Sequence, residues 1–353
     1  MPAEPPNAAS EQRLHYIDAL RLLAILMVVV LHTSARALAK SPAFGEVWWA
    51  GNLFDSLSRW SVPVFVMVSG TLLLNAPRAE SVTAFLRRRF SKILIPFFVW
   101  SGVYLLFRLL ILKEPLSVWQ IAQNLLQDPA FYHLWFMYVI LGLYLITPIL
   151  RSWLPNASEP TLRYALALWA LFTCFLPFGK HLLGLGLGVP MDFLTGYAGY
   201  FVLGYYLNLK VPLPAAWLWG LFSSGGLLTI VGTWALTLKK HGLLDQLMFS
   251  YFSPNVLLMS IGVYGLFQGA KRWQSTPPPW LMPLSQCSFG IYLCHPLLLA
   301  LALNTTTVNH FRLENLLLSA WWGIPLCSAL VFGLSLGLVL LLRKVPLLKA
   351  TVP

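Results

Sequence analysis

Long apolar runs separated by short polar connectors dominate the chain. Ten of them reach helical-span length, at about residues 19–38, 53–75, 92–112, 132–150, 163–179, 192–209, 215–237, 247–268, 283–304 and 318–342. A membrane-crossing helix needs about 20 apolar residues, whereas a membrane β-strand would show segments of about ten residues with alternating polarity. The pattern predicts an all-α membrane protein with about ten transmembrane helices. The fifth run is the shortest. Leu182–Pro190 is apolar but glycine-rich and reads as a re-entrant or interfacial piece, which lipid tolerates only where protein covers it.

Composition agrees. Of 353 residues, 58% are hydrophobic and 10% charged, against about a quarter charged in soluble domains. The net charge of +12 would suggest nucleic acid in a soluble protein. In a membrane protein it marks cytoplasmic loops, so no nucleic-acid partner is expected. With the N-terminus placed in the cytoplasm, fifteen of the 24 Lys and Arg fall inside and nine, Arg59 among them, fall outside or at outer span ends. The densest clusters, Arg87–Lys92 and Arg343–Lys349, then lie inside, and an even number of spans leaves both termini cytoplasmic. The expected organisation is a polar tail at 1–14, a membrane domain at 15–345 and a short tail at 346–353. The first run has no small-residue cleavage site after it and reads as an uncleaved span. The four cysteines sit inside apolar runs with no metal-binding spacing and read as packing residues.

Against this apolar background the ionisable residues stand out. Asp18, Arg21 and His32 share one stripe of the first run. The eleven residues from Arg21 to His32 bring a helix back to within roughly 20° of the same face, about 16 Å further along. Ionisable groups in a span are costly to keep and point to function. A neutral imidazole there can take a proton from a hydroxyl and return it. Arg21 cannot lose its charge and needs an anion, and Asp18 is within reach. The bland alternative is a buried His hydrogen-bonded between helices with Arg21 snorkelling to headgroups.

Arg87-Arg88-Arg89-Phe90-Ser91-Lys92 precedes the third span. It is either a lipid-contacting basic cluster or a phosphate site, since guanidinium groups fork onto phosphate oxygens. In the ninth span, Tyr292 and His295 lie one turn apart and Pro296 predicts a kink; they could line a polar cavity facing His32. Ser69-Gly70 in the second span reads as close helix packing or a site-lining hydroxyl. His133, Trp135 and Tyr138, near the outer end of the fourth span, read as interfacial-belt residues. No nucleophile elbow, phosphate loop or zinc-protease motif occurs.

These blocks together resemble the acyltransferase-3 family of integral membrane acyltransferases. The resemblance rests on Arg21 and His32 within IDALRLLAILMVVVLH, and on Phe65, Ser69 and Gly70 within VPVFVMVSGTLLL. It continues through RRRFSKILIP, HLWFMYVILGLYLITPIL with Trp135, GYFVLGYYL, and SFGIYLCHP with Ser288, Tyr292, His295 and Pro296. The blocks follow family order over nearly the whole chain. One departure concerns the basic motif before the third span. Some members carry Arg-x-x-Arg there, and the matching positions here are Arg89 and Lys92, with Arg88 or Arg87 as substitutes. The second is that no additional soluble esterase-like domain follows, as in the short, single-domain members.

The resemblance implies transfer of an acyl group, usually acetyl, from cytoplasmic acyl-CoA to a hydroxyl of a surface glycan or its lipid-linked precursor, in the bacterial inner membrane. It implies acetyl-CoA as donor, no metal, and membrane lipids as surroundings. His32 would be the general base or a transient acyl carrier, with Arg21 and Asp18 beside it. Arg87, Arg88, Arg89 and Lys92 would hold the CoA phosphates. Ser69, Trp135, Tyr292 and His295 are the candidates for substrate or oxyanion contacts. A polysaccharide exporter is the competing expectation.

Overall fold

The computed structural model describes residues 15–75, 80–126, 129–184, 196–273, 277–303 and 319–353. Among them the regular structure is helical, with no strand. The helices are α1 (His15–Lys40), α2 (Glu46–Ser58), α3 (Ser61–Leu74), α4 (Val82–Leu110), α5 (Val118–Leu126), α6 (Trp135–Trp153), α7 (Glu159–Ala170) and α8 (Leu176–Leu183). They continue with α9 (Tyr197–Asn208), α10 (Ala215–Lys239), α11 (Pro254–Gly269), α12 (Leu281–Gln286), α13 (Ser288–Leu303), α14 (Ala320–Lys344) and α15 (Pro346–Lys349).

Eight helical segments are long and apolar enough to cross a membrane: 15–40, 46–74, 82–110, 135–156, 159–183, 215–239, 247–269 and 320–344. The expected spans 192–209 and 283–304 correspond to α9 and α13, which are shorter, at 12 and 16 residues. The chain is thus an all-α, multi-pass membrane protein with eight full-length spans among the described residues. The proposed re-entrant piece falls mostly outside the described residues, which stop at Gly184 and resume at Gly196. The expected polar tail at 1–14 also lies outside them.

Two spans differ from their sequence-based outlines for a physical reason. The second begins at Glu46, not at residue 53, and is built from α2 and α3. Its first half buries Asn52, Asp55, Ser56 and Ser58, a polar content that hides it from an apolar window. Pro63 has no N–H to offer the carbonyl of Arg59, and the helix breaks there, between Ser58 and Ser61. Arg59, expected at an outer span end, therefore sits mid-span. The fifth span is longer than expected because α7 passes through a π-helical turn at Leu171–Phe175 into α8. Pro177 removes the N–H that the carbonyl of Thr173 would need.

α1 is the spine of the bundle, packed against α2, α3, α11, α12, α13 and α14. Lipid supplies no hydrophobic drive between helices, so close approach and buried hydrogen bonds must hold them. At the α3–α9 crossing the backbones nearly touch: a Cβ on Gly70 would lie 1.8 Å from the carbonyl oxygen of Phe201, and one on Gly204 would lie 2.0 Å from that of Met67. Thr71 Oγ1 donates to the Gly204 carbonyl at 3.0 Å. The Tyr264 hydroxyl lies 2.7 Å from Thr71 Oγ1 and 3.1 Å from the Tyr16 hydroxyl, which donates to Asn208 Oδ1 at 2.5 Å. One hydrogen-bonded chain thereby joins α1, α3, α9 and α11. The segment after α14 packs back onto the bundle: Trp100 Nε1 donates to the Thr351 carbonyl and Arg343 Nε to that of Val352, each at 3.1 Å.

Gly204→Ala should lower the apparent melting temperature of the purified protein, through an overpacking cost of about 2 kcal/mol. Gly220→Ala, at a position with nothing within 4 Å, should not. Equal melting temperatures for the two variants would refute the close α3–α9 contact.

Candidate active site

Three histidines from three parts of the chain meet around the C-terminal half of α1. His32 is on α1, His133 is on the turn leading into α6, and His295 is in the middle of α13. The rings of His32 and His295 stack at 5.3 Å between centroids, and those of His133 and His295 meet edge-on at 5.8 Å. Tyr132 lies edge-on to His32 at 5.0 Å. His133 and His295 are sealed, at 1% and 0% exposure, while His32 is only partly buried. His32 is therefore the least enclosed imidazole of the three.

Local backbone chemistry fixes the His295 ring and holds the turn that carries His133. His295 Nδ1 lies 3.0 Å from the Ile291 carbonyl. A carbonyl only accepts, so Nδ1 carries the proton, and Nε2 of the neutral ring is a lone pair with no protein partner. Pro296 interrupts the α13 ladder at this level. The Tyr104 hydroxyl from α4 inserts into the gap, donating to the Leu293 carbonyl at 2.7 Å and accepting from the Leu297 N–H at 3.2 Å. The Tyr292 hydroxyl donates to the His133 carbonyl at 2.6 Å, which ties the turn before α6 to α13. Tyr292 thus joins the cluster as a positioning residue for His133. The rings of His32 and His295 are stacked, so no in-plane hydrogen bond passes a proton between them.

A second polar layer lies toward the start of α1. Arg21 Nη2 donates to Ser288 Oγ at 3.3 Å, and Asp18 Oδ1 accepts from Ser285 Oγ at 2.5 Å. Both links dock the start of α1 onto α12 and α13. Since Ser288 meets Arg21 and His295 meets His32, α1 and α13 run parallel, and the histidine layer stands about 16 Å of helix rise above Arg21. The Tyr144 ring on α6 lies 6.4 Å from that of Phe85 on α4, within range of the charges of both Arg21 and Arg89, which brings Arg89 toward this layer.

Within that run the residues have different surroundings. Arg87, Arg88 and Lys92 are exposed, and Arg88 pairs with Glu80 at 2.5 Å. Arg89 is partly buried, with its guanidinium 5.8 Å from the centroid of the Phe85 ring. Arg151 approaches the same ring at 4.7 Å and donates from Nε to the Leu73 carbonyl at 2.7 Å. Arg151 entered the sequence-based expectation only as a loop charge, yet it is buried and lines a cavity of about 170 Å³ with Glu80, Val82, Phe85, Pro148 and Ser152. Two guanidinium groups thus approach one aromatic ring, with the Glu80 carboxylate lining the same cavity.

The remaining candidates lie apart. Ser69 Oγ donates to the Phe65 carbonyl in its own helix at 2.9 Å, beside the close contact at Gly70, as expected of a packing residue. Trp135 lies between Tyr197 and Tyr251, with centroids at 5.7 and 5.9 Å. Among the described residues no group of His, Cys, Asp and Glu is arranged to hold a metal. His133, which sequence position places in the interfacial belt, is instead at the heart of the cluster. The block His-Leu-Trp-Phe was visible in the sequence, but its burial was not.

A family model described as an acyltransferase domain, acyltransferase-3, matches residues 14–340 and so takes in both layers. The chain belongs to the acyltransferase-3 family. The Bacillus subtilis (strain 168) protein named "Putative membrane-bound acyltransferase YfiQ" is 23% identical over 300 residues, covering 78% of each chain. The phosphatidylglycerol–prolipoprotein diacylglyceryl transferase of Nitrosospira multiformis is 31% identical over 98 residues, 27% of this chain and 34% of that protein. The chain therefore spans only about a third of the latter relative's length. No solved structure matches.

For this acyltransferase-3 protein, Tyr292→Phe should leave the buried His133 carbonyl without its donor, at about 1–3 kcal/mol, and loosen the turn that carries His133. Acyl-transfer turnover should fall in protein that remains folded by circular dichroism. Wild-type turnover would show that the tie to His133 is not needed.

Proposed function

We propose that this membrane acyltransferase moves an acyl group, acetyl in the first instance, from acyl-CoA at the cytoplasmic face to a hydroxyl of a cell-surface glycan or its lipid-linked precursor in a bacterial inner membrane. The observation that carries this reading is the two-layer arrangement on α1: a partly buried imidazole backed by two sealed ones, in register with Arg21 and with the Arg89–Arg151 pair below it.

The lower layer suits the donor. Phosphate oxygens would meet Arg89 and Arg151 across Phe85, with Arg87, Arg88 and Lys92 at the rim as further cations. The cavity beside Arg151 takes a phosphate-sized group, and the pantetheine arm would run upward past Arg21. Its roughly 16 Å climb is the helix rise that separates Arg21 from His32. Basic residues at this end fit a cytoplasmic placement by the positive-inside rule.

The upper layer suits the chemistry. The acceptor hydroxyl oxygen attacks the thioester carbonyl carbon while His32 takes the hydroxyl proton. The tetrahedral intermediate then expels the CoA sulfur, which takes the proton back from the imidazolium. Ester and thiol result, and the histidine ends neutral. His133 and His295 bound the space around His32 with neutral rings and keep it apart from lipid. Direct transfer needs only one base, and His32 is the least enclosed ring of the three.

Mass spectrometry of surface glycans from cells with and without the gene tests the reading. An acyl mass should vanish from one glycan when the gene is removed and return when it is restored. Identical glycan and lipid-linked saccharide profiles in both strains would contradict it.

A further inference from the structure

The second span carries an ion pair that none of the site assignments above uses. Asp55, on the last turn of α2, is 1% exposed, and its Oδ2 accepts from Arg59 Nη2 at 2.5 Å. Arg59 sits in the break between α2 and α3, halfway along a 29-residue span, with 15% of its side chain exposed. A second element pins it: Nη1 donates to the Phe249 carbonyl at 3.2 Å, and the guanidinium lies 4.4 Å from the centroid of the Phe249 ring. Gly51 packs on Leu38, so along the antiparallel α1–α2 pair Arg59 comes about level with His32, and it lies beside the Tyr251 side chain. Tyr251 in turn stacks near Trp135, two residues after His133. A mid-bilayer guanidinium with a buried counter-ion, next to the histidine cluster, is expensive to maintain and calls for a function.

Acyl transfer leaves one requirement open. As the hydroxyl attacks, the thioester carbonyl oxygen becomes an anion, and in a low-dielectric site it needs a donor held in advance. Soluble enzymes often use backbone N–H groups, but in a helical bundle nearly all of these are spent on the helices themselves. Three side chains that the sequence offered as donors are spent too. Tyr292 donates to the His133 carbonyl, Ser69 to the Phe65 carbonyl, and His295 gives its single N–H to the Ile291 carbonyl. Arg59 differs from all three. It is permanently charged, it is held from two sides, and its Nε–H is buried with no protein partner.

Resting on the acyl-transfer reading, we infer that Arg59 is a further catalytic residue, donating hydrogen bonds to the anionic carbonyl oxygen of the tetrahedral intermediate, and that Asp55 is its positioning residue. No proton leaves Arg59 in this role. The anion forms beside a cation already in place and disappears when the C–S bond breaks. Asp55 keeps the fork oriented through Oδ2, and its second oxygen, Oδ1, has no protein partner.

The test uses the full-length protein in nanodiscs with radiolabelled acetyl-CoA and native membranes as acceptor source, alongside CoA binding and apparent melting temperature. Arg59→Gln keeps a donor for the Phe249 carbonyl but removes the charge. It should lower kcat by about 100-fold or more, with KM for acetyl-CoA within about threefold of wild type. Arg59→Lys should recover part of the loss. Asp55→Asn, which keeps the guanidinium, should lower kcat by about tenfold without changing CoA binding, and it serves if Arg59→Gln does not fold. A folded Arg59→Gln protein with wild-type kcat overturns the inference, as does Asp55→Asn at full turnover. A wild-type protein that never cleaves acetyl-CoA would instead sink the acyl-transfer reading itself.

Discussion

A polar group in the middle of a bilayer has no water to fall back on, and that constraint organises this bundle. Ionisable and hydrogen-bonding side chains buried there must turn to protein for partners, and several find them on another helix. The ties that result are also the ties that assemble the site. Arg21 and Asp18 reach across to Ser288 and Ser285 and lock α1 to α12 and α13. Tyr104 enters the break that Pro296 makes in α13, and Tyr292 holds the turn that carries His133. Remove these and the helices have only van der Waals packing to set their register. With them, three imidazoles from distant parts of the sequence share one small volume.

The same logic separates the two ends of the site by chemistry. The lower end gathers guanidinium groups around Phe85 and Tyr144, a surface for an anion. The upper end gathers neutral imidazoles and phenols, a surface for moving a proton. α1 joins them because its eleven-residue spacing puts Arg21 and His32 on one face. A reaction that starts from a large phosphorylated carrier and ends on a neutral hydroxyl needs both surfaces at about this separation. Membership in the acyltransferase-3 family is consistent with that division of labour.

What could be read from the sequence follows from how local each feature is. The stripe on α1 is a property of one helix, so spacing alone exposed it. The helical class and most span positions came from apolar runs of the right length. The start of the second span did not, because Asn52, Asp55, Ser56 and Ser58 make its first half look like a loop until neighbouring helices cover it. Arg59 was displaced to a span end for the same reason. His133 was read as belt because its depth was counted along one run, and a turn before a helix has no periodicity to show which way it faces. Arg151 looked like any basic residue at a span terminus, and only the structure shows it buried over Phe85.

In the proposed reaction His32, of the three clustered imidazoles, takes the proton of the acceptor. The most direct measurement is the rate of acetyl transfer from radiolabelled acetyl-CoA into the saccharide fraction of native membranes, by wild type and by His32→Ala, with CoA affinity measured on the same preparations. The account predicts that His32→Ala binds CoA as wild type does and transfers no label above the protein-free background. Transfer by His32→Ala at the wild-type rate would contradict it.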